Sequence, residues 1–428
     1  MKKRVYKATK VKKLNLEKLK NEVEGKDIVL SVDVAKEAFM AVVMGKDKET
    51  ITTISWRHPV ESQLFFDTIL KELPWRSLEV AMEPSGTYGD FLRTYFQEQG
   101  IRVYRVSPKR CHDAAEVYDG VPSTHDAKAS AIIGWLHLEG SSEIWPMQTN
   151  GQRELRAAIQ SMELHDDTFY RYINKLEGLT MRYWPELTQH LQLKSATLLE
   201  LLMKYGSPEN VAQDIEQAKQ LMIKTGGSML KGTKIEKVLE SAKISLGVKC
   251  IEAEREVLQE LCCEIRRLQK LRRQAKLKIE ELTKNIDCVR EMTPLLGKVT
   301  AAVLYMILGD VKEYDNAGSI VKTLGLNLKE RSSGKHKGLL RITKRGSGNV
   351  RMYLYMAVLR LINSEPIIQA WYLKKVSRDG GIKKKALVAI MRKLVSALWH
   401  VGQGAKFDAS KLFDVNRLDV CSVSAGAK

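Results

Sequence analysis

The first third of the chain alternates short apolar runs with amphipathic segments. Apolar, β-branched runs occur in DIVLSVDVAKEAFMAVVMG, TITTISWRH, LEVAMEPSG and IRVYRVSP, a pattern typical of buried strands. Helical spacing appears in ESQLFFDTILKEL, in TYGDFLRTYFQEQG and from Asp126 to Leu138. The order β-β-β-α-β-α-β-α predicts one α/β domain with a mixed sheet over residues 26–150. Residues 1–25 are predicted to be a flexible basic tail.

Beyond residue 150 the apolar spacing becomes helical, and residues 151–286 are predicted to be a helical, coiled-coil linker region. A first helix carries apolar residues at Leu155, Ile159, Met162, Phe169, Ile173 and Leu176. A second places an apolar seam at Ile251, Leu258, Leu261, Ile265, Leu268, Ala275, Ile279 and Leu282, interrupted by Arg272. This spacing predicts a coiled coil, paired with the first helix or with another subunit. An ordinary amphipathic bundle helix is the alternative.

Residues 287–402 are predicted to form a helical domain, followed by a weakly patterned tail over 403–428. A basic stretch, RSSGKHKGLLRITKRGSGNVR, interrupts these helices and holds seven Lys or Arg, four Gly and no acid. Such composition indicates phosphate binding. From the residues alone, its two adjacent serines are either phosphate ligands in a structural loop or include a nucleophile.

The net charge of the 428-residue chain is +19, which favours nucleic acid as a partner over a merely basic surface. The sequence has no run of about 18 apolar residues, so no membrane span is expected. The basic amino terminus lacks a following apolar core, so no secretory signal is expected. Six cysteines without a C-x-x-C pair fit reduced thiols in a cytoplasmic protein.

Three carboxylates stand at informative places in the predicted α/β domain. Asp33 lies within an apolar strand, where an unpaired charge is costly. Glu83 ends another apolar strand, and Asp126 opens a helix. Together they could hold Mg²⁺ against a phosphodiester. The alternatives are purely structural roles: a helix N-cap for Asp126 and a turn residue for Glu83.

Four motifs carry a resemblance to a known family: SVDVAK, EPSGTYG, VPSTHDAKASAI and LGLNLKERSSGKHKGLLRITKRGSGNVRMYLYMAVLRLI. In this order they resemble the transposases of the insertion sequence 110 (DEDD) family, relatives of the Piv invertase. The similarity runs from about residue 27 to residue 363, and the serine-containing motif is the most specific. The resemblance implies an RNase H-like, RuvC-type domain, a coiled-coil arm and a helical transposase domain with a catalytic serine.

The resemblance also implies function. Such proteins act as RNA-guided recombinases, in which a non-coding bridge RNA pairs with donor and target DNA, and they act as homodimers or homotetramers. Their active site joins the RuvC-like domain of one subunit to the serine of another. Carried over by position, Asp33, Glu83 and Asp126 match metal-binding carboxylates, with Mg²⁺ as cofactor. Ser333 matches the serine that forms a phosphoserine link with DNA, with Ser332 as the alternative.

A serine nucleophile needs an electropositive site that stabilises the developing charge. The basic stretch offers nucleic-acid-binding cations for this purpose at Lys335, Lys337, Arg341, Lys344 and Arg345. The implied location is the bacterial cytoplasm, in association with the nucleoid.

The sequence departs from the family pattern at one position. The family pattern has two aspartates three residues apart on the helix that contains Asp126. One alignment places Asp126 at the first position and Ala129 at the second; the other register places Asp126 at the second and Ser123 at the first, so one carboxylate is missing either way. Either activity is weakened, or another residue such as Asp90 or His125 completes the metal site. We therefore expect normal RNA and DNA binding with poor catalysis.

Three rival interpretations remain open from the sequence. The first is a non-catalytic RNA-guided DNA-binding protein of the same descent, favoured by Ala129. The second is a general RNA-binding or structural protein with a coiled coil. The third is a conventional metal nuclease, which would leave free DNA ends and tolerate loss of Ser333.

Overall fold

The computed structural model describes residues 6–330, 338 and 340–418. The chain forms two compact units, Met1–Gln148 and Thr149–Lys428. The first combines a mixed sheet with helices, and the second is almost entirely helical. The predicted class, α/β followed by α, is thus confirmed, while the RNase H-like type and the finer five-part division stay predictions.

The first unit contains seven strands and five α-helices among its described residues. The strands are β1 (Thr9–Lys10), β2 (Asp27–Val34), β3 (Ala38–Gly45), β4 (Thr50–Arg57), β5 (Ser77–Met82), β6 (Arg102–Val106) and β7 (Ser142–Ile144). The helices are α1 (Leu16–Val23), α2 (Ser62–Asp67), α3 (Asp90–Glu98), α4 (Pro108–Asp119) and α5 (Asp126–Leu138).

The strands form one mixed sheet in the order β1-β4-β3-β2-β5-β6-β7. Strands β2, β3 and β4 make an antiparallel meander, while β5 and β6 continue parallel to β2. Because side chains alternate along a strand, β2 contributes to two cores. Leu30 packs with helix residues such as Phe65 on one face, and Val29 packs with Ile132 and Ile133 of α5 on the other. The apolar runs of β2 and β5 are therefore buried on both sides.

The expected flexible basic tail is wrong for residues 6–25. There β1 pairs in parallel with β4, and α1 follows with the Asn15 side chain accepting a hydrogen bond from the backbone N–H of Lys18 at 3.1 Å. Leu19 and Val23, four residues apart, are buried against the sheet core. Such spacing places two apolar side chains on one helix face, so α1 packs despite its many charges.

The second unit contains thirteen α-helices and one short hairpin among its described residues. The helices are α6 (Asn150–Tyr183), α7 (Leu187–His190), α8 (Ala196–Tyr205), α9 (Pro208–Gln213), α10 (Ile215–Gly226), α11 (Gly232–Lys243), α12 (Glu252–Thr283), α13 (Asp287–Leu296), α14 (Lys298–Leu308), α15 (Ala317–Thr323), α16 (Gly348–Ser364), α17 (Pro366–Arg378) and α18 (Lys383–Gly402). The hairpin strands are β8 (Leu328–Lys329) and β9 (Arg341–Ile342).

Part of the predicted carboxyl-terminal tail is packed. Short 3-10 turns form at Ala409–Lys411 and Val415–Arg417. Phe413 between them is buried in the main helical core, where its ring lies 4.8 Å from that of Trp371.

Two separate apolar clusters run along the long helices α6 and α12. Met162 of α6 and Ile279 of α12 belong to one cluster, whereas Phe169 of α6 and Leu268 of α12 belong to the other. The order is reversed between the two helices, so they pack antiparallel. The predicted pairing of the second helix with the first is therefore present within one chain. Its coiled-coil character stays a prediction.

Arg272 occupies the gap between these two clusters. Its Nε donates a hydrogen bond to the Asp166 carboxylate, and its guanidinium lies 4.1 Å from the centre of the Phe169 ring. The side chain is only 16% exposed. The residue that interrupts the predicted seam thus forms a polar layer that separates the two apolar clusters.

In the described part of the chain, the helices fall short of the length and apolarity that crossing a lipid bilayer requires.

We expect Arg272→Ala to lower the free energy of unfolding by about 1–3 kcal/mol, because it leaves a half-buried carboxylate without its cation. The double change Arg272→Met/Asp166→Leu should recover most of that loss, since it replaces the pair with apolar contacts. Urea titration followed by circular dichroism measures both effects.

The matched control is Arg267→Ala on the same helix, an exposed arginine paired with Glu264 at 3.2 Å. It should change stability by less than about 0.5 kcal/mol. Equal losses in Arg272→Ala and Arg267→Ala would contradict the structural role of the Arg272 layer.

Candidate functional site

The three predicted carboxylates of the first unit gather near one edge of the sheet. Val32 of β2 pairs with Met82 of parallel β5, so the following side chains, Asp33 and Glu83, come to neighbouring positions. Both lie on the face covered by α5, whose first residue is Asp126. This edge is where neighbouring parallel strands end, the usual place for polar sites in α/β sheets.

Burial and like charge act together on Asp33. Burial, followed by the charges of Asp126 and Glu83, raises the pKa of Asp33 to about 6. Burial also raises the pKa of Glu83. A nearby cation stabilises a carboxylate whose negative charge is disfavoured by burial and by like charges. Carboxylate oxygens are also suitable ligands for Mg²⁺. The donor set therefore fits the predicted metal in its chemistry.

The fit does not extend to a ready-made ligand shell. Across residues 6–330, 338 and 340–418, no three Asp, Glu, His or Cys side chains converge closely enough to enclose a metal ion. Asp126 is exposed and Asp33 is half-buried. Metal binding by these residues thus stays a prediction, which would require their side chains to draw together.

Cys111 of α4 is a neighbour of the carboxylates that the sequence did not single out. Its thiol donates a hydrogen bond to the Glu83 carboxylate. Burial, with the charges of Glu83 and Asp33, raises the pKa of Cys111 to about 12. Cys111 is therefore a neutral thiol that orients Glu83, and no spacing motif pointed to it because α4 itself was not predicted.

Close packing of α5 against the sheet positions Asp126. A β-carbon on Gly134 would lie 2.7 Å from the Ser31 hydroxyl oxygen on β2, so only glycine permits this approach. One turn earlier, the Ser130 hydroxyl donates a hydrogen bond to the Met40 carbonyl at 3.0 Å. These contacts fix α5 on the face that carries Asp33.

Buried Lys128 ties down the segment that leads into α5. Its side chain is 2% exposed, and its ammonium donates to the Asp119 carboxylate at 2.7 Å and to the carbonyls of Val121 and Ser123 at 2.5 and 2.9 Å. Hydrogen bonds from Lys128 and from the Tyr6 hydroxyl lower the pKa of Asp119 to about 2. All three N–H bonds of the buried ammonium are thus used, which satisfies the requirement for a buried charge.

Ala129 lies three residues along α5 from Asp126, on the same side of the helix. The two substitutes considered for a missing carboxylate have other partners. Asp90 forms an ion pair with Arg93 at 3.0 Å. The His125 ring nitrogen accepts a hydrogen bond from the backbone N–H of Lys128 as the α5 cap. Neither residue is among the charges that raise the pKa of Asp33.

The predicted nucleic-acid-binding stretch is only partly described. Ser332, Ser333, Lys335 and Lys337 lie outside the described residues. The other predicted cations, Arg341, Lys344 and Arg345, are exposed.

The two ends of this stretch are held together. Strands β8 and β9 pair antiparallel, and the backbone N–H of Thr343 donates to the Asn327 carbonyl at 2.9 Å. A β-carbon on Gly325, which has φ +65°, would lie 1.8 Å from the Arg345 carbonyl oxygen. The neighbouring Lys344 adopts a left-handed backbone with φ 56°, a conformation that costs free energy in residues other than glycine.

Arg351 of α16 binds the same two backbone segments, those around Gly325 and Arg345. Its Nη1 donates to the carbonyls of Leu324 at 3.2 Å, Gly346 at 3.1 Å and Arg345 at 3.4 Å. Sequence reasoning counted Arg351 only as one more positive charge, whereas its described contacts are structural.

Part of the second, helical unit is similar to a known family of proteins. Residues 291–373 match the family model Transposase_20, described as "Transposase IS116/IS110/IS902 family". The matched span includes Ser332 and Ser333.

Individual relatives extend the similarity. The "Insertion element IS110 uncharacterized 43.6 kDa protein" of Streptomyces coelicolor is 20% identical over 358 residues, 78% of this chain and 84% of that protein. The "Transposase for insertion sequence element IS1111A" of Coxiella burnetii is 29% identical over 119 residues, 27% of this chain and 32% of that protein. The chain is therefore similar to insertion-sequence proteins over much of its length, and residues 291–373 are similar to an insertion-sequence transposase domain.

Proposed function

We propose that this chain is an RNA-guided DNA transposase or site-specific recombinase. It would join donor and target DNA through a covalent serine–DNA intermediate. The observation that carries the proposal is the gathering of Asp33, Glu83 and Asp126, the carboxylates that the family resemblance singles out, near one sheet edge. The similarity of residues 291–373 to a transposase domain supports the choice of DNA as substrate.

The proposed role of the carboxylates is to hold Mg²⁺. Bound there, Mg²⁺ would act as a Lewis acid on a phosphodiester oxygen and neutralise developing negative charge. Asp33 and Glu83 would supply oxygen ligands from adjacent strands, and Asp126 would supply one from the start of α5. The hydrogen bond from Cys111 holds the Glu83 carboxylate.

The proposed role of Ser333 is nucleophilic. Its Oγ would form a bond to phosphorus while one phosphorus–deoxyribose oxygen bond breaks. The serine gives up its proton, and the departing deoxyribose oxygen takes one up. The exposed cations Arg341, Lys344 and Arg345 support this role, since fixed positive charge stabilises the anionic transition state. The hydroxyl oxygen of a strand end would then attack the phosphoserine phosphorus. The bond from phosphorus to the serine Oγ would break as the new phosphodiester forms, and the serine would take up a proton as the attacking hydroxyl loses one.

A non-coding guide RNA, assembly as a homodimer or homotetramer, and action in the bacterial cytoplasm at the nucleoid complete the proposal. They rest on the family resemblance. The charge of +19 supports binding of nucleic acid.

One observation favours a second candidate function, a catalytically weak or inactive RNA-guided DNA-binding protein. Ala129 stands where the family pattern has an aspartate, and the nearby Asp90 and His125 have other partners. In this alternative the guide RNA and DNA still bind, but strand transfer fails.

We expect Mg²⁺ or Mn²⁺ to raise the melting temperature of the purified protein at pH 7.5, because a divalent cation relieves repulsion around Asp33. At a concentration ten times the Kd, linkage gives about 1.4 kcal/mol, or roughly 3–6 °C for a unit of this size. Asp33→Asn should abolish the metal effect. Differential scanning calorimetry with and without EDTA measures it.

The matched control is Asp27→Asn at the other end of β2. Hydrogen bonds from Arg76 and Ser77 lower the pKa of Asp27, so this change should destabilise the fold and leave the metal effect intact. A divalent-cation shift that persists in Asp33→Asn would contradict the proposed metal site.

The pH dependence has a defined sign. The folded-state pKa of Asp33, about 6, lies above 3.8, the usual pKa of an aspartate in an unfolded chain. Between those values the folded protein binds more protons than the unfolded chain, so the contribution of Asp33 to stability falls as pH rises through this window. In EDTA, lowering the pH from 7 to 5 should therefore lower the stability of Asp33→Asn more than that of the parent protein.

We expect a denaturation-resistant protein–DNA adduct when the protein, its co-purified RNA and Mg²⁺ are mixed with end-labelled cognate DNA. Ser333→Ala should abolish the adduct, while Ser332→Ala, the matched neighbour, should retain it. Ala129→Asp should increase the adduct about tenfold or more, because it restores a carboxylate on α5.

Each outcome has a distinct meaning. Loss of the adduct in Ser332→Ala alone would transfer the nucleophile to Ser332. Free DNA ends without an adduct, unaffected by Ser333→Ala, would identify a conventional nuclease. RNA and DNA binding without an adduct in any variant would establish the second candidate function.

A further inference from the structure

Helices α17 and α18 and the segment after α18 enclose a cleft of about 380 Å³ in the second unit. Five cationic side chains line it: Lys374, Lys375, Arg378, Lys393 and Arg417. Trp371 and Phe413 form an apolar wall between them. A concave site with convergent polar groups beside an aromatic wall is a common form of ligand site.

Acidic side chains balance only part of this charge. Asp379 accepts from Lys375 at 2.6 Å and lies 3.6 Å from Arg378. Asp414 pairs with Arg417 at 2.9 Å. In the described residues these two carboxylates are the ones paired with the five cations, which leaves a surplus of three positive charges around one cleft.

Some of these cations also have a structural role. Lys393 donates to the Leu412 carbonyl at 2.7 Å, and Lys374 donates to the Arg417 carbonyl. Both lysines thereby hold the segment after α18 in place. An ammonium carries three N–H donors, so each lysine retains donors for a ligand in the cleft.

The sequence around the cleft carries more positive charge than the two lysines that hold the segment after α18. Residues 366–418 hold eleven Lys or Arg and three Asp, a net charge of +8 out of +19 for the whole chain. Most of this stretch lies beyond residue 373, where the transposase-family match ends. The basic loop near Ser333 is therefore not the only concentration of positive charge in the sequence.

We propose that this cleft binds an unpaired nucleic-acid strand, with a backbone phosphate among the cations and a base against the Trp371 side. Single-strand sites combine a positively charged groove with aromatic side chains in this way. A duplex, whose bases are already stacked with each other, would reach only the rim. The inference rests on the proposed function in one respect, since a guide RNA or an opened DNA strand would be the occupant.

The experiment compares three fluorescently labelled probes on the full chain: a 16-nucleotide RNA, the DNA of the same sequence and the corresponding DNA duplex. Fluorescence anisotropy in EDTA, from 50 to 300 mM KCl, gives the affinity and its salt dependence without any catalytic step. The variant is Arg378→Gln/Arg417→Gln. Both side chains are exposed, and within the described residues neither guanidinium donates a hydrogen bond to a backbone carbonyl.

We expect this variant to weaken binding of a single strand about tenfold and to make the slope of log K against log salt shallower by about 1.4, since each lost phosphate contact contributes about 0.7. Duplex affinity should change less than about threefold. A larger loss for RNA than for DNA assigns the cleft to the guide, and the reverse assigns it to an opened DNA strand.

The matched control is Arg267→Gln/Arg290→Gln, which removes the same charge. Arg290 is an exposed arginine that pairs with Asp287 three residues earlier at 2.7 Å, the same arrangement as Arg417 with Asp414. This control should bind single strands as the parent protein does.

An unchanged slope in Arg378→Gln/Arg417→Gln, an equal loss in the control, or an equal loss for duplex would overturn the proposal. So would failure of the parent protein to bind either single strand. The assay is independent of the adduct experiment. Suppose that Arg378→Gln/Arg417→Gln weakens strand binding as expected but the parent protein forms no serine–DNA adduct. The cleft proposal would then stand, and the transposase proposal would fail.

Discussion

Helix α5 lies so close to β2 that a β-carbon on Gly134 would come within 2.7 Å of the Ser31 oxygen. That approach brings the start of the helix towards the end of β2, where burial and then the charge of Asp126 raise the pKa of Asp33. The free energy for holding like charges together comes from the apolar contacts of Val29, Ile132 and Ile133 beneath them. The candidate site is thus a consequence of how tightly one helix packs on one strand.

The two units apply charge differently. In the first, negative charge is concentrated and partly buried, so protonation or a cation stabilises it. In the second, positive charge is exposed. It is divided between the basic residues Arg341, Lys344 and Arg345 and the cleft beside Trp371, which suits a long polyanion. Buried Lys128 is an exception in the first unit, where three oxygen partners compensate its charge.

Much of the fold follows from apolar spacing. The strands around Asp33 and Glu83 and the seam that includes Ile265 and Ile279 are where their patterns predict them. The pattern did not reveal α1, whose two buried side chains are outnumbered by charged ones. It also missed α4, because a helix that buries mainly Cys111 and two alanines has a weak apolar stripe.

The candidate site divides in the same way. A carboxylate inside an apolar strand is conspicuous in a sequence, so Asp33 could be found. The roles of Cys111, Lys128 and Arg351 depend on neighbours distant along the chain or on backbone carbonyls, which side-chain patterns do not encode. The cleft near Trp371 is equally hidden, since its walls come from two helices and a segment that the sequence showed only as a weakly patterned tail.

The Arg272–Asp166 layer has a consequence for the motions of the long helices. Apolar contact on either side of it is complete within its own cluster, so the two clusters are not one continuous core. Cooperative units of folding follow such boundaries. We therefore expect α7 to α11, with the parts of α6 and α12 in the same cluster, to open as a local unit while the core around α13 to α18 stays folded.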